Sequence, residues 1–585
     1  MRVSRKTAVV LVLAVVVGAT LYTIAPPEIV PGVYHVDLSI DALGITTSQL
    51  LNVTFVESGE NVESVVSLVG PLTNLTITYT SVVVIATNNP LVIEIEASGS
   101  PVFASNIHGV ITGPSDFELS LRPTRQFGQT FIIEYQPLVK SRGAALLLGV
   151  VGVLWFTEGI SLVATSIMIP ILIVLFAIQG PRAALAPFFD PAVALIFGGF
   201  LIGRALSKYD LDKRIALLIL SKGAGSGPRL ILTVMAASAF LSMWISNTAS
   251  AAIMIPIALA VISRLRTEEV KTKYGKTLVL GVAYSATLGG VATLVGSPPN
   301  PLAAAYVSSF LGMQISFMTW LPFGVPVVLI MLPIMWQWLM YRFKVPKDIE
   351  EIRELKEISE KEYARLGPIT AEQKLVLAVF LAVVGLWLTE KVPDFVANIV
   401  GWNGHGISSS TVALLGGFAL LVFRLLDEHD VSHEINWGSL LILGSGIALG
   451  GAMIQTGLST FIAHQLSTLG YLPSFLVIIV IGVVAVLVTM VASNTGAAVI
   501  LIPIAIPLAA ELGIDPLLIT MVIAIAVSMD FALPTGTPPS TIAYSTGRVE
   551  MREMITAGLV IDLIAVLVVT IVVVYLWSLF GLVVL

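Results

Sequence analysis

Ser246-Asn247-Thr248-Ala249-Ser250-Ala251-Ala252-Ile253-Met254-Ile255-Pro256-Ile257-Ala258 and Ser493-Asn494-Thr495-Gly496-Ala497-Ala498-Val499-Ile500-Leu501-Ile502-Pro503-Ile504-Ala505 are one stretch written twice. Overlaid without gaps, they agree at nine of thirteen positions. A second matched feature follows each, Gly296-Ser297-Pro298-Pro299 after the first and Gly536-Thr537-Pro538-Pro539 after the second. The chain therefore reads as two halves. Each half carries an uncharged polar triplet inside hydrophobic sequence, followed by a Gly/Pro break.

Composition fixes the class. Of 585 residues, 56% are hydrophobic and only 12% charged, and the mean hydropathy is +0.94. Apolar runs of bilayer-crossing length recur from residue 143 to the C-terminus. The absence of cysteine excludes disulfides, thiol chemistry and thiolate metal sites. The six histidines are scattered without metal-ligand spacing, and no HExxH, nucleophile elbow or nucleic-acid module occurs. These features argue against an enzyme and against a nucleic-acid partner. The net charge of −6 says little, because the charges are sorted by location.

Five regions follow in order. Residues 1–25 place Arg2, Arg5 and Lys6 before an apolar run, which suits a signal peptide or a retained first membrane helix. The length of the run favours the helix. Residues 26–140 show short alternating stretches such as Val33-Tyr34-His35-Val36-Asp37-Leu38-Ser39-Ile40, the period of half-buried strands. They read as an extracytoplasmic β-sandwich. Residues 141–341 form a first membrane repeat, 342–373 a charged cytoplasmic linker with an exposed helix, and 374–585 a second repeat. The two triplet-bearing segments, about 228–262 and 473–510, have arms short for a full crossing and read as re-entrant hairpins.

With the N-terminus inside, alternation along these spans puts 25 of the 31 lysines and arginines on the inner side. Only Arg122, Arg125, Lys140, Arg142, Arg182 and Lys391 fall outside. Each half has five crossings and one hairpin. An odd count inverts the second half relative to the first. The expected fold is thus an α-helical polytopic membrane protein of about 11 transmembrane helices, with two inverted repeats, an inner and an outer re-entrant hairpin, and a β-rich extracytoplasmic insertion. Its expected location is the cell membrane, in contact with the lipid bilayer.

Inverted repeats with interrupted helices place a binding site near the midplane. Ser, Asn and Thr supply hydroxyls and an amide without net charge. At a hairpin tip they join the unpaired N–H groups of a helix start, an arrangement that holds a carboxylate without arginine. Freed carbonyl oxygens beside the Gly/Pro breaks suit a hard cation such as Na⁺.

Residues 143–582 resemble the divalent anion/sodium symporter family. The resemblance is carried by Trp155-Phe156-Thr157-Glu158, Ser242-Met243-Trp244-Ile245-Ser246-Asn247-Thr248, Gly296-Ser297-Pro298-Pro299-Asn300 and Thr489-Met490-Val491-Ala492-Ser493-Asn494-Thr495. It implies a homodimer working by an elevator-type alternating-access mechanism, with a di- or tricarboxylate or sulfate as substrate. It places Ser246, Asn247, Thr248, Ser297, Ser493, Asn494, Thr495 and Thr537 at the substrate carboxylates. It implies two or more coupling Na⁺ ions. One lies near Ser242, Ser246, Asn247 and Gly296, the other near Thr489, Ala492, Asn494 and Gly536.

The chain departs from that pattern in its 26–140 insertion, in Ser540 where an asparagine often follows the Pro-Pro, and in Asp530. Asp530 lies opposite Gly290 in the repeat overlay and is expected either to act in coupling or to pair with polar groups in a wet cavity. Glu158 and Asp562 read as structural, and Arg182 with Asp190 as an ion pair at a membrane edge. The function expected is Na⁺-coupled symport of a C4-dicarboxylate such as succinate. A Na⁺-independent dicarboxylate exchanger and a non-transporting membrane sensor are the alternatives.

Overall fold

In the computed structural model, the described backbone comprises residues 5–24, the strands between 32 and 135, and 141–583 without 158, 224–225, 347–360, 393–400 and 580. Side chains are described for 9–23 and, within the third range, for 142–583 without those residues and without 572–573. Helix α1 (Arg5–Ile24) precedes eight strands: β1 (Gly32–Ala42), β2 (Ile45–Ser58), β3 (Asn61–Val66), β4 (Thr78–Ala86), β5 (Leu91–Ser98), β6 (Ala104–Thr112), β7 (Phe117–Leu121) and β8 (Thr130–Tyr135). Their backbone pairs as a single antiparallel sheet in the order β7-β6-β1-β2-β3-β4-β5-β8. The expected two-layer sandwich turns on side chains outside the described residues.

The regular secondary structure described after residue 140 is all helical. The first half runs α2 (Ser141–Thr157), α3 (Leu162–Leu175), α4 (Pro181–Leu185), α5 (Pro191–Lys208), α6 (Leu211–Gly223), α7 (Gly227–Ser242), α8 (Asn247–Ser263), α9 (Glu268–Gly289), α10 (Pro299–Leu311) and α11 (Phe317–Arg342). The second runs α12 (Ala371–Thr389), α13 (Ser409–Val422), α14 (Trp437–Gln455), α15 (Leu458–Gln465), α16 (Ser474–Val491), α17 (Asn494–Glu511), α18 (Pro516–Ala526), α19 (Pro538–Ser545), α20 (Met551–Leu567) and α21 (Val574–Leu579).

Seven described helical stretches are long and apolar enough to cross a bilayer: Pro181–Lys208, Phe317–Arg342, Ala371–Thr389, Trp437–Gln455, Ser474–Val491, Asn494–Glu511 and Met551–Leu579. Several others are shorter, α7, α8 and α18 among them, because polar triplets and Gly/Pro breaks cut the apolar runs. The expected exposed helix of 342–373 falls largely on residues 347–360, outside the described residues, as does Glu158.

Small residues set the helix spacing. A methyl group on Gly18 would meet Leu146 and Val150 at 2.8 Å, so α1 lies directly on α2. One on Gly198 of α5 would come 2.5 Å from the backbone of Ala413 in α13. Gly450 of α14 similarly admits the Tyr306 ring of α10, whose hydroxyl donates to Gly446 O at 2.7 Å. Between apolar helices in lipid, such close contact supplies the attraction that the hydrophobic effect no longer does.

The edges are tied by charge. Arg204 and Lys208, at the end of α5, both bind Asp430 between α13 and α14, and Arg204 also reaches Glu434 at 3.3 Å. Asp190 does not pair with Arg182 as expected. Its Oδ1 accepts the Ala192 N–H at 2.8 Å and caps α5, a role a carboxylate fills well at a helix N-terminus.

Two pairs of helices frame the centre. In the first half α7 and α8 pack on α9, and in the second α16 and α17 pack on α18. The helices after the breaks are exchanged. Helix α10 packs on α17 and α18, and α19 packs on α8 and α9.

Candidate functional site

Each triplet sits where one helix stops and the next begins. Helix α7 ends at Ser242, and α8 starts at Asn247 with Ser246 as its cap. Helix α16 ends at Val491, and α17 starts at Asn494 with Ser493 as its cap. Both caps have φ −64 and ψ 149, and both side chains accept a backbone N–H at 3.2 Å, from Ala249 and from Gly496. A serine cap satisfies one unpaired N–H and leaves others of the first turn facing outward with the positive end of the helix dipole. Ser246 and Thr248 are exposed, while Ser493, Asn494 and Thr495 are half-buried, so both helix starts are open to a ligand. The Trp155 ring lies 3.6 Å from where a methyl group on Gly496 would sit, which brings the end of α2 to the second tip.

The asparagines turn inward. The Asn247 amide nitrogen donates to Gly296 O at 3.2 Å, to Ala286 O at 3.3 Å and to Ser242 Oγ at 2.5 Å. A hydroxyl, an amide and two backbone carbonyls converge here, groups whose oxygens suit a hard monovalent cation. The expected first-site residues Ser242, Asn247 and Gly296 are thus brought together, with Ser246 at the adjoining cap. In the second half, Thr489 Oγ1 lies 2.8 Å from Asn494 Oδ1 and 2.7 Å from Val527 O. Ala492 is buried at the same tip.

The breaks close over the tips. Gly296 is forced, because a methyl group there would come 2.6 Å from Gly290 O. Three carbonyls at the first break are answered by side chains. Asn300 Nδ2 donates to Gly290 O at 2.9 Å and to Thr293 O at 2.7 Å, and Trp320 Nε1 donates to Val291 O at 3.0 Å. Thr293 Oγ1 donates to Met243 O at 2.6 Å, fixing the break to the first tip. Ser540 cannot brace the second break in this way. Instead it accepts from Thr537 at 3.0 Å, and Thr541 donates to Pro534 O at 2.7 Å.

The halves meet through hydroxyls. Ser297 and Ser528 lie 3.4 Å apart, and Thr287 and Thr537 lie 3.5 Å apart. All four are buried. Thr287 and Ser528 do not stand out in the sequence, since a single hydroxyl in an apolar run has many ordinary uses.

This paired architecture has relatives. The model of the sodium:sulfate symporter transmembrane region matches residues 136–583. The chain belongs to the divalent anion/sodium symporter family. It is a multi-pass membrane transporter and not an enzyme. Among the curated members of this symporter family, it is 30% identical over 488 residues to the sodium-dependent dicarboxylate transporter SdcS of Staphylococcus saprophyticus, covering 80% of this chain and 91% of that one. It is also 30% identical over 437 residues to SdcS of Staphylococcus aureus, covering 72% and 83%. Among solved structures, the YdaH transporter of Alcanivorax borkumensis aligns with TM-score 0.45 at 15% identity, over 68% of this chain and 88% of that one. MtrF of Neisseria gonorrhoeae aligns with TM-score 0.46 at 15% identity, over 67% and 83%.

Among the described residues no group of three or more His, Asp or Glu side chains could hold a metal ion. The side chains that cluster around Asn247 and Asn494 supply neutral oxygens, which suit a hard monovalent cation.

Proposed function

We propose that this protein is a Na⁺-coupled symporter of divalent organic anions, with a C4-dicarboxylate such as succinate as substrate. The observation that carries the reading is the matched pair of serine-capped helix starts, each beside an asparagine within a cluster of oxygens. In this reading Ser246, Asn247, Thr248 and Ser297 from one half and Ser493, Asn494, Thr495 and Thr537 from the other bind the two carboxylates. Helix N-termini and hydroxyls hold the anion without the strong, slow-releasing grip of a buried arginine pair.

One Na⁺ would lie among Ser242, Ser246, Asn247 and Gly296, a second among Thr489, Ala492, Asn494 and Gly536. Ser246 and Asn247 belong to both the first cation site and the substrate site in this reading, so occupancy of one favours the other.

The wider architecture belongs to the same proposal. It comprises about 11 membrane helices in two inverted repeats, re-entrant hairpins at α7–α8 and α16–α17, and a homodimer working as an elevator. The N-terminus and 342–373 are cytoplasmic, in the plasma membrane, and 26–140 form an extracytoplasmic β-rich cap. The curated relatives, named as sodium-dependent dicarboxylate transporters, support the substrate and the ion.

The test is uptake of labelled succinate into proteoliposomes that contain no dicarboxylate. Symport requires uptake under an inward Na⁺ gradient. Uptake that ignores Na⁺ and appears only in succinate-loaded vesicles would replace symport with exchange.

A further inference from the structure

Asp530 breaks the equivalence of the two halves beside the second cation site. Overlaying Gly296 on Gly536 puts Gly290 opposite Asp530. At Gly290 there is room only for hydrogen, since a methyl group would come 2.3 Å from the Asn247 side-chain amide and 2.9 Å from Gly296 O. The second half places a carboxylate at this position.

That carboxylate is fully buried, and neither of its oxygens has a hydrogen-bond partner. The Leu533 N–H faces it without reaching hydrogen-bond geometry. Its oxygens close on Gly536, where a methyl group would lie 1.7 Å from Oδ2 and 2.8 Å from Oδ1. Three residues earlier, Val527 O accepts from Thr489, which also meets Asn494. Asp530 thus adjoins the proposed second-site ligands. The neighbouring acid, Asp562, is tied through one oxygen, its Oδ1 accepting the Phe531 N–H at 2.9 Å, while its Oδ2 has no hydrogen-bond partner.

A buried carboxylate inside a membrane domain is costly unless a positive charge or several donors answer it. We propose that Asp530 is a direct ligand of the cation in the second half, which gives that site a formal negative charge absent from the first. This assignment rests on the sodium-coupled reading above. It makes the two sites unequal. The second cation is held by an anion of the protein and binds tightly before any substrate arrives. The first is held by neutral oxygens and keeps its charge available to the substrate carboxylate.

Na⁺ binding to the purified full-length protein tests this without transport. The readout is the rise in thermal unfolding temperature as Na⁺ replaces choline at constant ionic strength, with no dicarboxylate present. Asp530→Asn raises the Na⁺ concentration for half the effect by about tenfold or more. Asp530→Gly, which restores the residue type of the first half, does the same and carries the test if the asparagine variant fails to fold. Half-effect concentrations within about twofold of wild type would overturn the assignment and leave symport standing. Equal stabilisation of the wild type by Na⁺ and choline would remove the sodium reading itself, and this assignment with it.

Discussion

Ser297 and Ser528 face each other with hydroxyl oxygens 3.4 Å apart, one from the break of the first half and the other from the helix end of the second. The contact exists because α10 crosses to α17 and α18 while α19 crosses to α8 and α9. Each half's break is therefore completed by the other half.

The caps give the first prediction. Ser246→Ala and Ser493→Ala each remove a side chain that accepts a backbone N–H at 3.2 Å. Each substitution costs about 1 kcal/mol of stability. Each also raises the succinate KM, because the hydroxyl lies at the start of a helix proposed to face the substrate. Thermal unfolding and initial uptake rates measure the two effects. A Gly replacement, which retains most capping stability, separates them by leaving stability nearly intact while still raising KM.

The two break glycines should respond differently. Gly296→Ala collides with the Gly290 backbone at 2.6 Å, and Gly536→Ala collides with the Asp530 side chain. Overpacking of this kind costs about 1–3 kcal/mol. In choline, where no Na⁺ contributes, the Gly536→Ala penalty should largely vanish in an Asp530→Gly background. The Gly296→Ala penalty has no side chain whose removal relieves it. Additive unfolding temperatures for the Gly536→Ala/Asp530→Gly pair would contradict the contact.

Asp430 anchors the end of α5. Burial alone would raise its carboxyl, but hydrogen bonds from Lys208, the Asp427 amide and Arg204 outweigh that and hold it below the ordinary carboxylate value. A depressed folded-state value means the stabilisation is present above the unfolded value, about 3.9, and is lost as pH falls through the folded one. Asp430→Asn therefore lowers stability by about 1–2 kcal/mol near neutral pH. The gap from wild type should shrink only below about pH 4. A gap that closes between pH 6 and 8 would assign the effect to another group.

The residues differ in how plainly the sequence announces them. The triplets and the glycines were legible because they occur twice, and repetition separates a polar site from incidental serines and threonines. Ser246 and Ser493 could be placed at helix starts because capping is a local rule. Thr287 and Ser528 were not legible, since their roles arise only when α9 and α18 meet the other half's breaks. The bracing of the second break moved from the expected asparagine position to Thr541, and no local rule announces that change. Asp190 was misread as an ion-pair partner because charge spacing in one dimension does not reveal a cap. Asp530 was visible as an intrusion, but its approach to Gly536 needed the fold.

The central claim is that two matched tips bind one anion together with Na⁺. The direct measurement is initial uptake of labelled succinate into proteoliposomes, under an inward gradient of Na⁺ or of choline, for wild type, Asn247→Ala and Asn494→Ala. The account predicts Na⁺-dependent uptake in wild type and a loss of about tenfold or more in each variant, of the size expected when a ligating group is removed. Wild-type uptake equal in Na⁺ and choline, or full uptake by either variant, would contradict it.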